Sequence, residues 1–216
     1  MTSLTSAREL FQVAYESRYT WDCNFPGYMA NVQLIQGEEA HSGKIYINRD
    51  MSVEVIGIND EQIQEAVCTQ LKDIVTHRQQ TSFDKSHGDH QFILGETDNT
   101  GVMEVAVQGD TMGSNYKIRG HEICQVSRIM GRMAFVIDTH ENLDTGLGLI
   151  ATRYDATFRN LKNNEVTAIL KFEDTYEKFD NYFLMTKQVV KEYKDGLNTS
   201  AEFYYSSIKL LEPVAV

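Results

Sequence analysis

The sequence predicts an α+β protein that is mostly β: a single long, curved antiparallel sheet, forming an incomplete or closed barrel, with two helices packed on its concave face. Three observations lead to this fold class. Apolar residues recur at helical spacing in only two segments, and alternating stretches separated by turn residues fill most of the remaining chain. Several of these stretches are apolar on both faces. Since sequential strands joined by short turns form meanders, we expect residues 1–216 to build one domain.

Two segments have the pattern of amphipathic helices. Ser6 and Glu9 stand at the spacing of a capping box, in which each side chain accepts a hydrogen bond from the other residue's backbone amide. The second helix is expected to start at Asn59 or Asp60 and to run to about His77. The residues predicted to form the buried faces of the two helices are Leu10, Phe11, Val13, Ala14 and Ser17, and Ile63, Ala66, Val67, Leu71 and Ile74.

The remaining chain alternates with the period of β-strands. Pro26 and Gly27 suit the central positions of a type II turn, because glycine accepts the positive φ of the second position. The first strand is expected to direct four residues toward the core: Tyr28, Ala30, Val32 and Leu34. Further strands are predicted around Ile45 and Ile47, around Val53 and Val55, and over 102–108, 115–119, 122–130, 132–139, 147–158, 165–179, 182–194 and 201–211.

Composition and charge exclude several classes of protein. The formal net charge is −11, which repels phosphate backbones and anionic lipid surfaces, so we expect no nucleic-acid partner. Cys23, Cys68 and Cys124 are scattered, which argues against a disulfide framework and a zinc site. The sequence predicts neither a signal peptide nor a transmembrane segment, because the first residues lack an apolar core and no later apolar run is long enough to span a bilayer. The sequence therefore predicts a cytoplasmic protein.

The stretch HRQQTSFDKSHGDHQFILGETDNTG contains half of the six histidines of the chain. His87 and His90 stand three residues apart, and a metal site would need a further ligand, such as Asp84 or His77. However, His, Asp, Lys, Ser and Gly also compose solvated connections. We interpret this stretch as a polar crossover from the second helix to the main run of strands, and we predict no metal.

The triplet Asp144-Thr145-Gly146 matches the aspartic-protease signature, in which two aspartates share a proton. It occurs once here, and a turn before a long strand explains it better. His121 and Cys124 point to opposite faces of their predicted strand and do not form a nucleophile–base pair. No glycine-rich phosphate loop is present. The sequence therefore predicts no catalytic residues and no cofactor.

Aromatic residues crowd two parts of the chain. The simpler interpretation is that these aromatic side chains pack in the hydrophobic core. The alternative is a cavity under the helices, with tyrosine hydroxyls at its rim, that binds a lipophilic molecule. The aromatic residues concerned are Tyr19, Trp21, Phe25 and Tyr28 in the first group, and Tyr176, Phe179, Tyr182, Phe183, Phe203, Tyr204 and Tyr205 in the second.

The chain resembles an uncharacterised family of cyanobacteria and plant chloroplasts over nearly its whole length. The motifs that carry the resemblance are Tyr19-Thr20-Trp21, Phe25-Pro26-Gly27, His87-Gly88, Gly95-Glu96-Thr97-Asp98, Asp144-Thr145-Gly146 and Arg153-Tyr154. The resemblance implies an oxygenic phototroph and a cytoplasmic or thylakoid-associated location, but no mechanism. Where this chain has Asp89 and His90, the family pattern has a basic residue and asparagine, which weakens the metal hypothesis.

More loosely, a helix followed by the strands GYMANV and GKIYIN looks like the lipoprotein-carrier fold, an incomplete barrel around helices. The preferred hypothesis is a non-enzymatic protein that binds a lipid, carotenoid or tetrapyrrole. The alternatives are an assembly or regulatory factor that contacts a photosynthetic protein partner, and a hydrolase using His87 with Asp84, Asp144 or Arg153. The residues that we predict to bind the ligand are Trp21 and Phe25, together with four positions that the family resemblance implies: Arg78, His87, Arg153 and Tyr154.

Overall fold

We describe a computed structural model of the chain over residues 6–110 and 112–212. It contains helices and strands in the following order: α1 (Ala7–Glu16), β1 (Tyr28–Gln36), β2 (Glu39–Ile47), β3 (Val53–Ile56), α2 (Glu61–Arg78), α3 (Phe83–His87), β4 (Gln91–Thr97), β5 (Met103–Gln108), β6 (Asn115–Arg119), β7 (Glu122–Met130), β8 (Met133–Asp144), β9 (Leu149–Asn160), β10 (Val166–Phe179), β11 (Tyr182–Lys194) and β12 (Leu197–Leu210).

All twelve of these strands belong to one open antiparallel sheet, in the order β3-β2-β1-β12-β11-β10-β9-β8-β7-β6-β5-β4. Its edges are β3 and β4, so the closed-barrel alternative does not hold. The mostly β fold class with one long antiparallel sheet is confirmed. No helix within the described ranges combines the length and the apolar character needed to cross a membrane.

Contacts divide the described chain into two compact units. Unit 1 comprises residues 6–19, 81–172 and 192–198, and unit 2 comprises residues 20–80, 173–191 and 199–212. The expectation of a single domain over 1–216 stays a prediction.

In unit 1, α1 begins where the sequence predicts. The Ser6 hydroxyl accepts from the Glu9 amide at 3.2 Å, and the Glu9 carboxylate accepts from the Ser6 amide at 2.8 Å. Phe11 and Ala14 are fully buried, but Val13 is 53% exposed, so its predicted place on the buried face is wrong. The helix packs against β4, β6 and β7. The buried cluster that this packing creates contains Leu10, Phe11, Ala14, Phe83, Val105, Val107, Tyr116 and Ile118.

The histidine-rich stretch, predicted as a polar crossover, contains a short helix and a strand. Ser82 caps α3 by accepting from the Lys85 amide at 3.3 Å, and Phe83 is buried. Strand β4 follows, and it pairs with β5 as the edge of the sheet. The sequence analysis missed both elements because α3 has only five residues and most of β4 is exposed, which leaves little apolar periodicity to detect.

Unit 2 follows the predicted alternation closely. Along β1 the four residues expected to face the core are buried and alternate with more exposed ones. Asp60 caps α2 by accepting from the amides of Gln62 and Ile63, and α2 packs against β3. Val67, Leu71 and Ile74 are buried as predicted, whereas Ala66 is exposed.

The Asp144-Thr145-Gly146 triplet forms the predicted turn before β9. Asp144 Oδ1 accepts from the Gly146 amide at 2.8 Å, and the Thr145 hydroxyl donates to the Gly148 carbonyl at 2.7 Å. This turn delivers Leu149 to the segment after α1, where its amide donates to the Ser17 carbonyl at 2.8 Å. The motif therefore has a structural role in unit 1.

The close approach of this turn to the segment after α1 requires glycine at position 148. Its φ is 147°, and a Cβ atom there would lie 2.7 Å from the Tyr19 amide nitrogen and 2.9 Å from the Arg18 carbonyl carbon. Both are backbone atoms, which cannot rotate away.

We expect Gly148→Ala to lower the free energy of unfolding by about 2–3 kcal/mol, because it adds backbone strain and a backbone clash. Gly146→Ala is the matched control: its φ is 77°, but nothing lies within 4 Å of its Cβ position, so a loss of about 1 kcal/mol is expected. Urea unfolding followed by circular dichroism measures both. Equal losses would show that the close approach of Gly148 carries no energetic weight.

Candidate functional site

A buried arginine at the end of α2 marks the candidate site, which lies in unit 2. Arg78 is the last residue of α2 and is 9% exposed. Its carbonyl accepts from the Trp21 amide at 2.7 Å, and Trp21 forms an isolated parallel bridge with Gln79. This pairing fixes the end of α2 against the segment that precedes β1, and it holds the guanidinium inside unit 2.

Arg78 starts a chain of hydrogen bonds that reaches two neighbouring strands. Its Nη2 donates to the Tyr176 hydroxyl at 3.1 Å, and that hydroxyl donates to Asp174 Oδ2 at 3.5 Å. Asp174 Oδ1 accepts from Gln188 Nε2 at 2.9 Å. Asp174 and Tyr176 are two residues apart on β10 and therefore share a face, while Gln188 lies on β11. The Tyr176 hydroxyl thus bridges the buried guanidinium of Arg78 and the buried carboxylate of Asp174.

Three phenols in this cluster, of which Tyr28 and Tyr205 are buried and Tyr176 is partly buried, stay protonated at neutral pH. Burial raises the pKa of Tyr176 to about 12, although the neighbouring Arg78 cation opposes this increase. Burial likewise raises the pKa of Tyr28 and of Tyr205 above the ordinary value of 10. These hydroxyls are therefore hydrogen-bonding groups and not bases.

Three polar atoms of the cluster have no hydrogen-bond partner in the protein: Arg78 Nε, Gln188 Oε1 and the Tyr205 hydroxyl oxygen. Only two other fully buried side-chain nitrogen or oxygen atoms in the described ranges share this property, on His41 and Arg128. Leaving a buried polar group unpaired costs about 1–3 kcal/mol, so native proteins rarely concentrate such groups. The cluster therefore offers a donor, an acceptor and a hydroxyl to a polar group from outside the chain.

An aromatic wall, defined here as Trp21, Phe25, Tyr28 and Tyr182, adjoins this cluster. Trp21 and Phe25 stack with ring centroids 4.2 Å apart, and Phe25 meets Tyr182 edge-on at 5.0 Å. Trp21 Nε1 donates to the Phe183 carbonyl at 3.3 Å, so the polar end of the indole is satisfied. The polar cluster and the aromatic wall together form the candidate binding site.

The six predicted ligand-binding residues fall into two groups. Trp21, Phe25 and Arg78 come together in unit 2, where the carbonyl of Arg78 binds the Trp21 amide. His87, Arg153 and Tyr154 belong to unit 1. The binding role of all six remains a prediction.

His87 is wedged among aromatic rings in unit 1. Its ring centroid lies 5.0 Å from those of Phe11 and Tyr15, and its Nδ1 lies 3.1 Å from Nδ1 of His90. Burial, together with the neighbouring His90, lowers the pKa of His87 to about 4. One ring therefore donates to the other, and His87 is neutral at pH 7. Within residues 6–110 and 112–212, no group of three or more His, Cys, Asp or Glu side chains is placed to hold a metal ion.

Arg153 and Tyr154 lie on opposite faces of β9. Arg153 Nη2 binds Glu141 Oε1 at 2.6 Å, and the Tyr154 ring stacks on Phe172 at 4.6 Å. The hydrolase hypothesis paired His87 with Arg153, Asp84 or Asp144.

Each of these three proposed partners of His87 makes its own contact with another residue. Asp84 binds Arg8 at 3.3 Å, and Asp144 accepts the Gly146 amide in the turn. His87 itself binds His90.

Sequence reasoning missed Asp174 and Gln188. Asp174 interrupts a largely apolar face that it shares with Phe172 and Tyr176, whereas Gln188 shares its face with Leu184 and the polar Thr186. A polar residue on the apolar face of a strand was the available signal, since buried polar groups require partners.

A concavity of about 820 Å³ opens to solvent on the other face of the sheet in unit 2. None of the six predicted binding residues lines it. Its polar side chains alternate along β1 with the buried residues, as expected for an outward face. The residues around it are Asn31, Val32, Gln33, Ser42, Gly43, Lys44, Ile56, Gly57, Tyr204 and Ser206.

Residues 2–211 match the model of a protein family described as Protein of unknown function (DUF3386), which confirms the resemblance to an uncharacterised family. No curated protein matches this chain in sequence. Solved structures that align with it show low similarity. A domain assigned to outer membrane lipoprotein sorting from Vibrio parahaemolyticus is 11% identical, with a TM-score of 0.39 and coverage of 97% of this chain and 94% of that one.

Two structures of complexes also align. MucB in complex with MucA(peri) is 9% identical, with a TM-score of 0.24 and coverage of 96% of this chain and 100% of that one. The MucA/MucB complex of Pseudomonas aeruginosa has the same identity and TM-score and covers 96% and 99%. At these values, the function of this chain has to be inferred from its own residues.

We expect two buried Tyr→Phe substitutions in the cluster to have opposite effects. Tyr176→Phe should lower the free energy of unfolding by about 2 kcal/mol, because it cuts the link between Arg78 and Asp174. Tyr205→Phe should leave it unchanged or raise it by about 1 kcal/mol, because it deletes an unpaired buried hydroxyl. Urea unfolding compares them, and a larger loss for Tyr205→Phe would contradict the hydrogen-bond pattern described above.

His87 should make the protein sensitive to mild acid. Its pKa in the folded state is about 4, below the usual 6.5, so the unfolded chain binds the proton first. Its contribution to stability is complete above pH 6.5 and is lost as the pH falls toward 4. We expect His87→Phe to flatten this part of a stability–pH curve measured by urea unfolding. The exposed His121, changed to Phe, is the control and should leave the slope as in the parent.

Proposed function

This chain belongs to the DUF3386 family of proteins of unknown function, and we propose from its own site that it is a non-enzymatic protein that binds a lipophilic molecule carrying a polar end. The polar end would meet the cluster around Arg78, and the apolar part would lie against the aromatic wall. A lipid, a carotenoid with polar substituents and a tetrapyrrole with carboxylates all combine an apolar part with a polar end.

The observation that carries the proposal is the set of three unpaired atoms on Arg78, Gln188 and Tyr205 beside the aromatic wall. A carboxyl or hydroxyl group could accept from Arg78 Nε and complete the hydrogen bonding of one of the other two atoms. Such a group would offset a desolvation cost that the ligand-free protein already bears. Binding sites for small molecules combine mostly apolar surface with a few polar groups in this way.

The chemistry of the cluster supports binding over catalysis. Its phenols have pKa values raised by burial, so they neither accept protons nor act as nucleophiles near pH 7. Arg78 and Asp174 are linked through the Tyr176 hydroxyl. The thiol pKa of Cys124, in unit 1, is also raised by burial, which lowers its reactivity.

The test uses Trp21, the single tryptophan of the chain, as a reporter inside the proposed site. Native mass spectrometry of the purified protein identifies any co-purifying molecule. The protein is then stripped with organic solvent, refolded and titrated with oleic acid, a hydroxylated carotenoid such as zeaxanthin, or protoporphyrin while Trp21 fluorescence is recorded. We expect saturable quenching by at least one probe and about tenfold weaker binding in Tyr205→Phe, which loses one hydrogen bond to the ligand.

The control for this titration is Tyr193→Phe, a partly exposed tyrosine of unit 1 that should bind as the parent does. Absence of saturable quenching with all three probes, together with no co-purifying molecule, would overturn the proposal. Unchanged affinity in Tyr205→Phe would remove the polar cluster from it.

A contact with a basic protein partner is the second candidate function. The net charge of −11 favours it, because carboxylates steer basic surfaces toward the chain. The setting in a phototroph, with a photosynthetic partner and a cytoplasmic or thylakoid-associated location, belongs to these proposals and comes from the family resemblance.

A further inference from the structure

Two neighbouring turns of unit 1 expose apolar side chains. The turn between β7 and β8 and the turn between β9 and β10 lie at the same end of their strands, where Met133 is paired with Asn160 and the Leu161 amide donates to the Arg132 carbonyl at 3.0 Å. We call residues 128–133 and 159–166 the hairpin end. Its exposed apolar residues, with their exposed fractions, are Ile129 46%, Met130 55%, Met133 39%, Leu161 45% and Val166 44%.

These five residues form a concentration of apolar surface. In the described part of the chain, only twelve large hydrophobic residues are exposed, and five of them lie in these fourteen positions. Single apolar residues scattered over a surface need no explanation, whereas a concentration of them at one end of the strands is typical of a contact site.

The charge of the hairpin end is opposite to that of the whole protein. It contains four of the 20 basic residues and one of the 31 acidic residues, a local excess of three positive charges in a chain with net charge −11. Arg132 and Lys162 are exposed, Arg159 donates to the Asn164 carbonyl at 3.2 Å, and Arg128 donates to the Tyr116 hydroxyl at 2.9 Å. The acidic residue is Glu165.

We propose that the hairpin end docks on the surface of an anionic lipid bilayer. Isoleucine, methionine and leucine at the turns would enter the boundary between head groups and acyl chains, while Arg132 and Lys162 would reach the phosphates. Their aliphatic stems suit this position, because long basic side chains keep the charged end in the polar layer.

Charge complementarity favours this occupant over a second copy of the chain. Two hairpin ends facing each other would bring positive charges together, whereas an anionic surface neutralises them. The acidic remainder of the chain does not prevent docking, since exposed charges farther away than about 10 Å are largely screened at 0.1 M salt. The proposed ligand site lies in unit 2, and this inference does not rest on it.

The test is co-sedimentation of the full-length protein with vesicles of pure phosphatidylcholine or of an equal mixture of phosphatidylcholine and phosphatidylglycerol. We expect the protein to pellet with the anionic vesicles only and to be released by salt. Arg132→Glu/Lys162→Glu should weaken the binding more than tenfold, since each basic group contributes about fivefold near an anionic surface. Ile129→Ser/Met130→Ser should also weaken it, through loss of apolar insertion.

Matched controls distinguish the role of the hairpin end from the effects of net charge and of exposed apolar residues elsewhere. Lys85→Glu/Lys178→Glu changes the net charge equally at two exposed lysines elsewhere, and Leu147→Ser/Leu197→Ser removes the two leucines with the largest exposed fractions in the described ranges. Both controls should pellet like the parent. The proposal is overturned if the parent does not bind anionic vesicles, which would leave an acidic protein surface as the partner, or if the controls lose binding as strongly as the hairpin-end variants. Circular dichroism confirms that each variant is folded.

Discussion

The burial of the Arg78 guanidinium is the constraint around which the interior of unit 2 is organised. A charge removed from water requires a counter-charge and hydrogen bonds, and Tyr176 and Asp174 supply them from β10. The same residue binds the segment before β1 through its carbonyl, which receives the Trp21 amide. Arg78 therefore connects the end of α2, the aromatic wall and the middle of the sheet within one unit.

This arrangement is polar at its centre without being fully satisfied. Natural interiors pair nearly all their polar atoms, because each unpaired one costs as much as several buried methylene groups contribute. Three unpaired atoms beside stacked aromatic rings are the observation from which the binding site is proposed. In unit 1 the polar ring of His87 is satisfied within the protein: it is partly buried among aromatic rings, and its Nδ1 hydrogen-bonds with Nδ1 of His90.

The two proposals describe complementary requirements of one kind of protein. A protein that binds a lipophilic molecule needs an apolar site for it and also a means of approaching the membrane in which such molecules dissolve. The candidate site lies in unit 2 and the hairpin end in unit 1, and they use different residues and different physical effects. Desolvated hydrogen bonding governs the first, while long-range charge and shallow insertion govern the second. Each can therefore fail without the other.

The sequence by itself determined the elements whose signals are local. The capping box at Ser6, the alternation from Tyr28 to Leu34 and the turn at Asp144 all depend on residues near one another in the chain, and the structure has them as predicted. Family motifs also brought attention to Trp21 and Arg78. Only the tertiary structure decided that Val13 faces solvent, that β4 forms an edge strand and that Asp174 and Gln188 join the chain of hydrogen bonds that starts at Arg78. Arg78 and Tyr176 lie 98 positions apart in the chain, and the hydrogen bonds that satisfy a buried charge leave no periodic trace in the sequence.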